Sequence, residues 1–499
     1  SPNTWSNNES THMTRHSLKD MQRRAFLRRA YALGMAGAAA PLALNLSAIG
    51  QASATTAADY KALVCIFLYG GNDHDNTFIP YDDNSHAVYQ SMRNVGDDVA
   101  SRIYWNKNSP DPSKQLIALS SSANGHQYAF QPAMRDLASL FESGQLGVLL
   151  NVGPLAAPTT KKQFTNQSVP LPPKLFSHND QFSLWQSATL TGVEGSTKGW
   201  GGQLGDVFLR NASNTNAHFT CINASGNALF MAGNTVLPYQ IASTGPVSIN
   251  GVGQANTLSV YGRDSCKQAL NALLNPNTTP THWMQKEWMR VIQSSLTNQA
   301  LVTSSITPEW VFNTAFQKDN LSAQLNIIAR LIAAASNSTN SLGVKRQVFF
   351  ASLGGFDLHD NLMANHSGLL QKLNDAMFSF YKATEQLGIA NKVTTFTASD
   401  FGRTLASNGD GSDHGWGSHH MVMGGAVDGK KYWGQAPALS DNGDDTVGQG
   451  RLLPSTSVDE FVAEMARWMG ATSSDISSVL PNLAMFSNRA PLSIFNTVA

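Results

Sequence analysis

The chain has 499 residues, 42% of them hydrophobic and only 14% charged, a balance that excludes a disordered or low-complexity protein. Lys+Arg and Asp+Glu are equal at 34 each, so no domain-scale basic surface points to a nucleic-acid partner. A chain of this length can bury a large core and has room for more than one domain.

The first informative stretch is QRRAFLRRAYALGMAGAAAPLALNLSAIGQASA, from Gln22 to Ala54. A basic start runs into an Ala-rich apolar segment and ends in the small-residue pattern Ala52-Ser53-Ala54, the anatomy of an export signal cut before Thr55. Arg23-Arg24 followed by Ala25-Phe26-Leu27 matches the twin-arginine type, which implies the twin-arginine export machinery as a partner and a periplasmic or secreted location. Gly34, Gly37, Pro41 and Asn45 interrupt the apolar segment, which is weak for a permanent anchor. No later segment reaches ~18 uninterrupted apolar residues, so no membrane span is expected after cleavage.

After the signal the chain alternates between strand-like and helix-like segments. Leu63–Tyr69 is a continuous apolar run, the pattern of a strand buried on both faces, and Gly70-Gly71 ends it in front of Asn72, Asp73, His74 and Asp75. Gln145–Gly153, Lys345–Asp357 and Lys392–Asp400 repeat the form, each passing into glycine or polar residues. Pro132–Gly144, Gly368–Gly388 and Ser457–Gly470 carry apolar residues at helical spacing and stop at glycine, and Ser457 lies three residues before Glu460 as in a capping box. The expected fold is α/β, a mostly parallel central sheet with helices on both faces. Residues 195–344 break the pattern, first with short β-like runs rich in Asn, Ser, Thr and Gly, then with helices, and read as an inserted mixed β/α cap. The expected division is a signal peptide at 1–54, core at 55–194, insertion at 195–344 and core again at 345–499. Cys65 lies within a strand, Cys221 and Cys266 could pair in an oxidising compartment, and no CxxC motif is present.

In parallel sheets ligands bind beyond the carboxyl ends of the strands, where this chain keeps its acids and imidazoles. They fall in four clusters: Asp73, His74 and Asp75; Asp357, His359 and Asp360; Asp400; Asp413 and His414. Such oxygen and nitrogen donors suit zinc, manganese or iron, and with more oxygens magnesium or calcium. Any one of them alone is more often a solvated loop residue. Ser177, in LFSHNDQFSLWQSA, is a natural helix N-cap, and the chemical alternative is a hydroxyl nucleophile or metal ligand at a positive helix end. Arg403 is the candidate clamp for a phosphate or sulfate, against a structural ion pair. His419 and His420 are expected as outer or surface groups, His366 at a helix start, and Trp283, Trp288, Trp416 and Trp433 in the core.

The set RRAFLRR, LYGGNDHDN, FSHNDQ, GGFDLHDN, ASDFGRT and DHGWGSHHMVMGGAV resembles a large bacterial family of twin-arginine-exported proteins of unknown function, grouped with the alkaline phosphatase-like superfamily of phosphatases, sulfatases and cofactor-independent phosphoglycerate mutases. The resemblance implies an alkaline phosphatase-like fold with Asp73 as the first metal ligand and Ser177 as the nucleophile. Asp357 and His359 stand for an Asp–His pair, Asp400 for the late-strand Asp and His414 for the last His. The sequence departs from that pattern at Phe401, where the superfamily places a histidine, and in the tight Asp357-x-His359 spacing. FSHND also lacks the Cys/Ser-x-Pro-x-Arg motif of a modified sulfatase nucleophile. The implied protein is an exported metal-dependent hydrolase of small or polymeric phosphate or sulfate esters. Ser177 or a water on the metal attacks, and one divalent ion is held by Asp73, Asp357, His359, Asp400 and His414. The alternative is a non-catalytic periplasmic binding or assembly protein that keeps the fold.

Overall fold

Strand β1 (Lys61–Tyr69) is apolar at odd and even positions alike, so neither of its faces tolerates water. In the computed structural model Ala62, Val64, Ile66 and Leu68 enter one hydrophobic core, while Leu63, Cys65 and Phe67 enter a second core on the opposite face. The structure describes residues 59–94, 102–189, 196–247, 252, 263–274, 282–306, 311–337 and 339–496. The export signal expected at 1–54 lies outside them.

The remaining strands, in chain order, are β2 (Ile79–Pro80), β3 (Ile117–Ala123), β4 (His126–Phe130), β5 (Leu146–Gly153), β6 (Cys221–Asn223) and β7 (Tyr239–Gln240). They continue with β8 (Arg346–Gly354), β9 (Val393–Ser399), β10 (Arg403–Ser407), β11 (Ser412–His414), β12 (Ser418–Gly424), β13 (Tyr432–Trp433) and β14 (Thr456–Ser457). Nine strands form one sheet in the order β13-β5-β12-β9-β1-β8-β6-β7, with β14 also beside β5. Neighbours run parallel except at β12, which is antiparallel to both β5 and β9. The β10–β11 hairpin pairs Arg403 with His414 across its two strands.

The described helices are α1 (Asp83–Arg93), α2 (Arg135–Glu142), α3 (Lys161–Asn166), α4 (His178–Ser187), α5 (Trp200–Arg210) and α6 (Asp264–Leu273). After them come α7 (Trp283–Ile306), α8 (Asn320–Ser336), α9 (Leu362–Gln386), α10 (Val458–Met469) and α11 (Ser473–Val479). Leu137 of α2, Leu325 and Ile328 of α8, and Leu373, Met377 and Phe380 of α9 cover one face of the sheet. Trp185 of α4, Leu204 and Phe208 of α5, and Phe461, Val462 and Met465 of α10 cover the other. This is the α/β architecture that the alternating pattern implied. The Ser457–Glu460 capping box forms as its spacing predicted, and Gly470 ends α10 with a φ of 94°. α9 begins at Leu362, earlier than its apolar period suggested, because Asp410 accepts the backbone N–H of Asn361 and anchors the turn before it.

Within 195–344, β6 and β7 extend the central sheet and α8 packs on α9 and β8. Two tryptophans expected in the core are outside it. Trp283 and Trp288 of α7 are 71% and 43% exposed, on an outward row with Met284 and Val291. Trp416 and Trp433 are buried. Cys65, Cys221 and Cys266 are all free thiols, so Cys221 and Cys266 are not paired. No helix among the described residues is long and apolar enough to cross a membrane.

Phe461 is fully buried against Phe396 and Trp185, so Phe461→Ala should lower the free energy of unfolding by about 3–5 kcal/mol. Trp283→Ser on the exposed row should change it by about 0.5 kcal/mol or less. Urea unfolding of the two variants, with similar denaturant slopes, checks this.

Candidate metal centre

The carboxyl ends of β1, β8 and β9 converge because glycines let their backbones meet. Gly70 and Gly71 have φ of 114° and 80°, and a methyl group on them would lie 2.3 Å from the Asp357 nitrogen and 2.5 Å from the Phe401 ring. Into this junction α4 delivers His178, the segment after β8 delivers Asp357 and His359, and β11 delivers His414. The loop before α4 has two non-glycine residues in the left-handed region, Lys174 at φ 44° and Phe176 at φ 70°, a strain typical of sites where position matters more than comfort.

His178, Asp357 and His414 bring their ligand atoms within 4.8 Å of one another. The separations are 3.1 Å between His178 Nε2 and His414 Nε2, 3.4 Å from His178 Nε2 to Asp357 Oδ1, and 3.5 Å from His414 Nε2 to Asp357 Oδ1. His359 Nε2 stands 2.9 Å from His414 Nε2 and 3.1 Å from Asp357 Oδ1. Every one of the three imidazoles is held from behind. His178 Nδ1 donates to Asp400 Oδ2 at 2.6 Å, His359 Nδ1 to Asp413 Oδ1 at 3.2 Å, and His414 Nδ1 to the Phe176 carbonyl at 2.8 Å. A carbonyl or carboxylate acceptor fixes the proton on Nδ1, so the three Nε2 lone pairs face inward. Lone pairs so close repel unless a cation lies among them. A tetrahedral ion with bonds of about 2.0–2.1 Å spaces its ligand atoms by roughly 3.3 Å, so this donor set fits a small divalent metal.

Charge around the group is uneven. The hydrogen bond to Asp400 raises the pKa of His178, whereas burial lowers that of His414. Burial pulls the Asp357 carboxyl up, but the Arg403 guanidinium outweighs it and holds the group below the usual carboxylate range. Asp357 is 49% exposed at its side chain, so the group opens to solvent on that side. Phe401 is fully buried and lies 4.7 Å from the ring centres of both His178 and His414, an apolar wall behind the imidazoles.

The residues singled out in the sequence divide accordingly. Asp357 and His414 are in the group and His359 is at its edge, where Arg403 Nη1 also approaches its Nε2 to 3.3 Å. Asp400 is one step out, behind His178. Asp73 is elsewhere: both its oxygens are held by Arg93, at 2.6 and 2.8 Å, in a buried ion pair that leaves the carboxylate no free edge. Ser177 precedes α4, but its hydroxyl donates to Asp180 Oδ2 at 2.8 Å. Arg403 is fully buried, and its donors are engaged by the carbonyls of Gly70, Gly71, Phe356 and Ser412 and by Asp357. That is the structural alternative weighed for it, not an open clamp. His419 and His420 are buried rather than outer groups: His419 Nδ1 accepts the Asn151 N–H, and His420 packs edge-on against Trp185. His366 is buried on Asn72. The residue that sequence reasoning passed over is His178. Its one signal was its place in the first helical turn beside Ser177, where an imidazole and a hydroxyl compete for the same attention.

Residues 60–477 match the profile of a family described as "Protein of unknown function (DUF1501)". No curated protein matches the sequence. Among solved structures the chain is similar to Ps i-CgsB, at 12% identity and a TM-score of 0.35, over 87% of this chain and 77% of that one. It is similar to the lipoteichoic acid synthase LtaP from Listeria monocytogenes at 9% identity and a TM-score of 0.28, over 78% and 69% of the two chains. The PsFucS1 sulfatase from Pseudoalteromonas sp. aligns at 10% identity and a TM-score of 0.31, over 91% and 77%.

Burial pulls His74 and His366 down to about 4, and His419 and His420 down to about 3. In the unfolded chain each returns to about 6.5, so below that pH the unfolded state binds protons that the native state refuses, and stability falls. Asp75 and Asp459, raised by burial to about 6 and about 7, act the other way and offset two of the four as the pH falls towards 4. The free energy of unfolding should therefore drop with a slope approaching roughly 3 kcal/mol per pH unit below pH 6. Urea unfolding at pH 7, 6 and 5 checks it, and equal stability at the three values would contradict the burial of neutral imidazoles.

Proposed function

We propose that this chain, which belongs to the DUF1501 family of proteins of unknown function, is an exported metal-dependent hydrolase of phosphate or sulfate esters. The observation that carries this reading is the inward convergence of His178, His414 and Asp357, with His359 beside them and each imidazole fixed through its Nδ1. A divalent ion held there would supply Lewis acidity, polarising the ester's non-bridging oxygen and making water a better nucleophile. Two or three imidazoles with one carboxylate suit zinc, manganese or iron better than magnesium or calcium, which favour all-oxygen sets.

The chain's own residues divide the remaining work. Asp400 orients His178, and Phe176 orients His414 through its carbonyl. Phe401 keeps water from the back of both rings. Asp357 stays ionised because Arg403 lies against it. Ser177 directs its hydroxyl to Asp180 within its own helix turn, which favours water over the serine as the attacking group. The Arg23-Arg24 pattern supports export by the twin-arginine route. A second reading, a non-catalytic periplasmic binding or assembly protein with a structural metal, is favoured by Phe401, whose ring fills the place where the resemblance calls for an imidazole.

Metal analysis of the protein from its native host, followed by a panel of phosphate and sulfate esters, tests the two readings. The hydrolase predicts about one divalent ion per chain and turnover that a chelator abolishes. Bound metal without turnover favours the second reading, and no metal with no turnover removes the first. Asp400→Asn should weaken metal binding by about 10- to 100-fold through His178. Ser177→Ala should leave hydrolysis in place, and its loss would restore the serine as nucleophile.

A further inference from the structure

Arg403 is not placed to clamp a substrate: its guanidinium is fully buried, and its donors are engaged by carbonyls, by Asp357 and, at 3.3 Å, by His359 Nε2. We propose that Arg451 is the residue that binds the anionic group of the ester at this centre, an assignment that rests on the hydrolase reading above. Arg451 is bound to His414 and to Phe176, the residue that fixes the His414 ring. Its Nε donates to the His414 carbonyl at 2.7 Å, and its guanidinium carbon lies 5.0 Å from the centre of the Phe176 ring. Phe176 in turn accepts the Nδ1 proton of His414. One arginine, one strained phenylalanine and one metal-facing histidine thus make a single bracket.

The guanidinium is held but not neutralised. Arg93, Arg346, Arg403, Arg467 and Arg489 all lie within ion-pair distance of a carboxylate, and among the described residues Arg451 does not. Asp413, the acid whose field it feels, is engaged by His359 Nδ1 and Asn408. Nη1 makes a long 3.4 Å contact with the Gly448 carbonyl, and Nη2 has no partner among the described residues. The side chain is only partly buried. The backbone behind it is bent to place it there: Gly448, Gln449 and Gly450 have φ of 89°, 54° and 66° in succession, and Gln449 is not a glycine. Stacking on Phe176 and the Nε bond remove rotamer freedom before any ligand arrives. A fixed, uncompensated guanidinium tied to the backbone of His414, one member of the metal-type group, is suited to a tetrahedral oxyanion, which offers oxygens to an ion and to an N–H donor together.

The test uses the full chain with its metal content measured, titrated calorimetrically with inorganic phosphate and with sulfate. Arg451→Gln should bind the preferred oxyanion about tenfold or more weakly while keeping the metal stoichiometry, and Arg451→Lys, which keeps charge without the stack, should fall between. Equal binding by the original chain and both variants overturns the assignment and leaves the hydrolase reading intact. An original chain that carries metal but binds neither oxyanion overturns that reading and this assignment with it. Loss of the metal in both variants would make Arg451 a support for His414 and would likewise overturn it.

Discussion

A guanidinium buried without water must find partners for all its N–H groups, and Arg403 finds them at the ends of three strands. It takes the carbonyls of Gly70 and Gly71 after β1, that of Phe356 and the Asp357 carboxylate after β8, and that of Ser412 on β11, while its Nη1 also reaches His359 Nε2 at 3.3 Å. Backbone groups that terminate a sheet would otherwise need solvent, so this one side chain satisfies the junction and pins its geometry. Asp357 serves as the counter-charge of that buried cation and as a donor facing the imidazoles. The carboxylate is therefore fixed in place by the fold's own electrostatics rather than by anything it binds.

A second buried guanidinium, Arg93 at the end of α1, deals with the acids that follow β1. It grips Asp73 with two nitrogens, reaches Asp75 at 3.4 Å, and bonds the Thr404 and Leu405 carbonyls. A cation is present near Asp73, but it belongs to the protein and cannot leave. The two arginines split the acids of the strand ends into a sealed set and an open one. Breaking the sealed pair from one side would strand a charge in the interior, which is far more damaging than never having had the pair.

Much of this architecture was legible in the sequence, for physical reasons. A strand covered on both faces has no choice but to be apolar throughout, so β1, β5, β8 and β9 announced themselves, and glycines marked where they stop. Asp357 and His414, which lie together in the structure, could be singled out because acids and imidazoles at strand ends are placed where ligands can reach them. The sequence pattern could not distinguish Asp73 from Asp357, since each follows a strand and each faces an arginine far along the chain. Nor could it show that Arg403 binds mainly carbonyls, because a backbone acceptor leaves no trace in residue identity. His178 was hidden behind the cap chemistry of its neighbour. Trp283 and Trp288 misled because bulk alone suggests a core, and their outward row shows only when α7 is seen against its neighbours.

The pairing of Arg403 with His414 across the β10–β11 hairpin has a further consequence. Successive side chains of a strand alternate between faces, so a slip of one position between the two strands would set the mooring cation and the inward-facing imidazole on opposite faces, and only one of them could reach the junction. They arrive there together only in the paired register. The hairpin behaves as a coincidence lock: a molecule that turned His414 to its partners in the wrong register would leave Arg403 off its carbonyls, or seat Arg403 and turn the imidazole away, and either error forfeits buried hydrogen bonds.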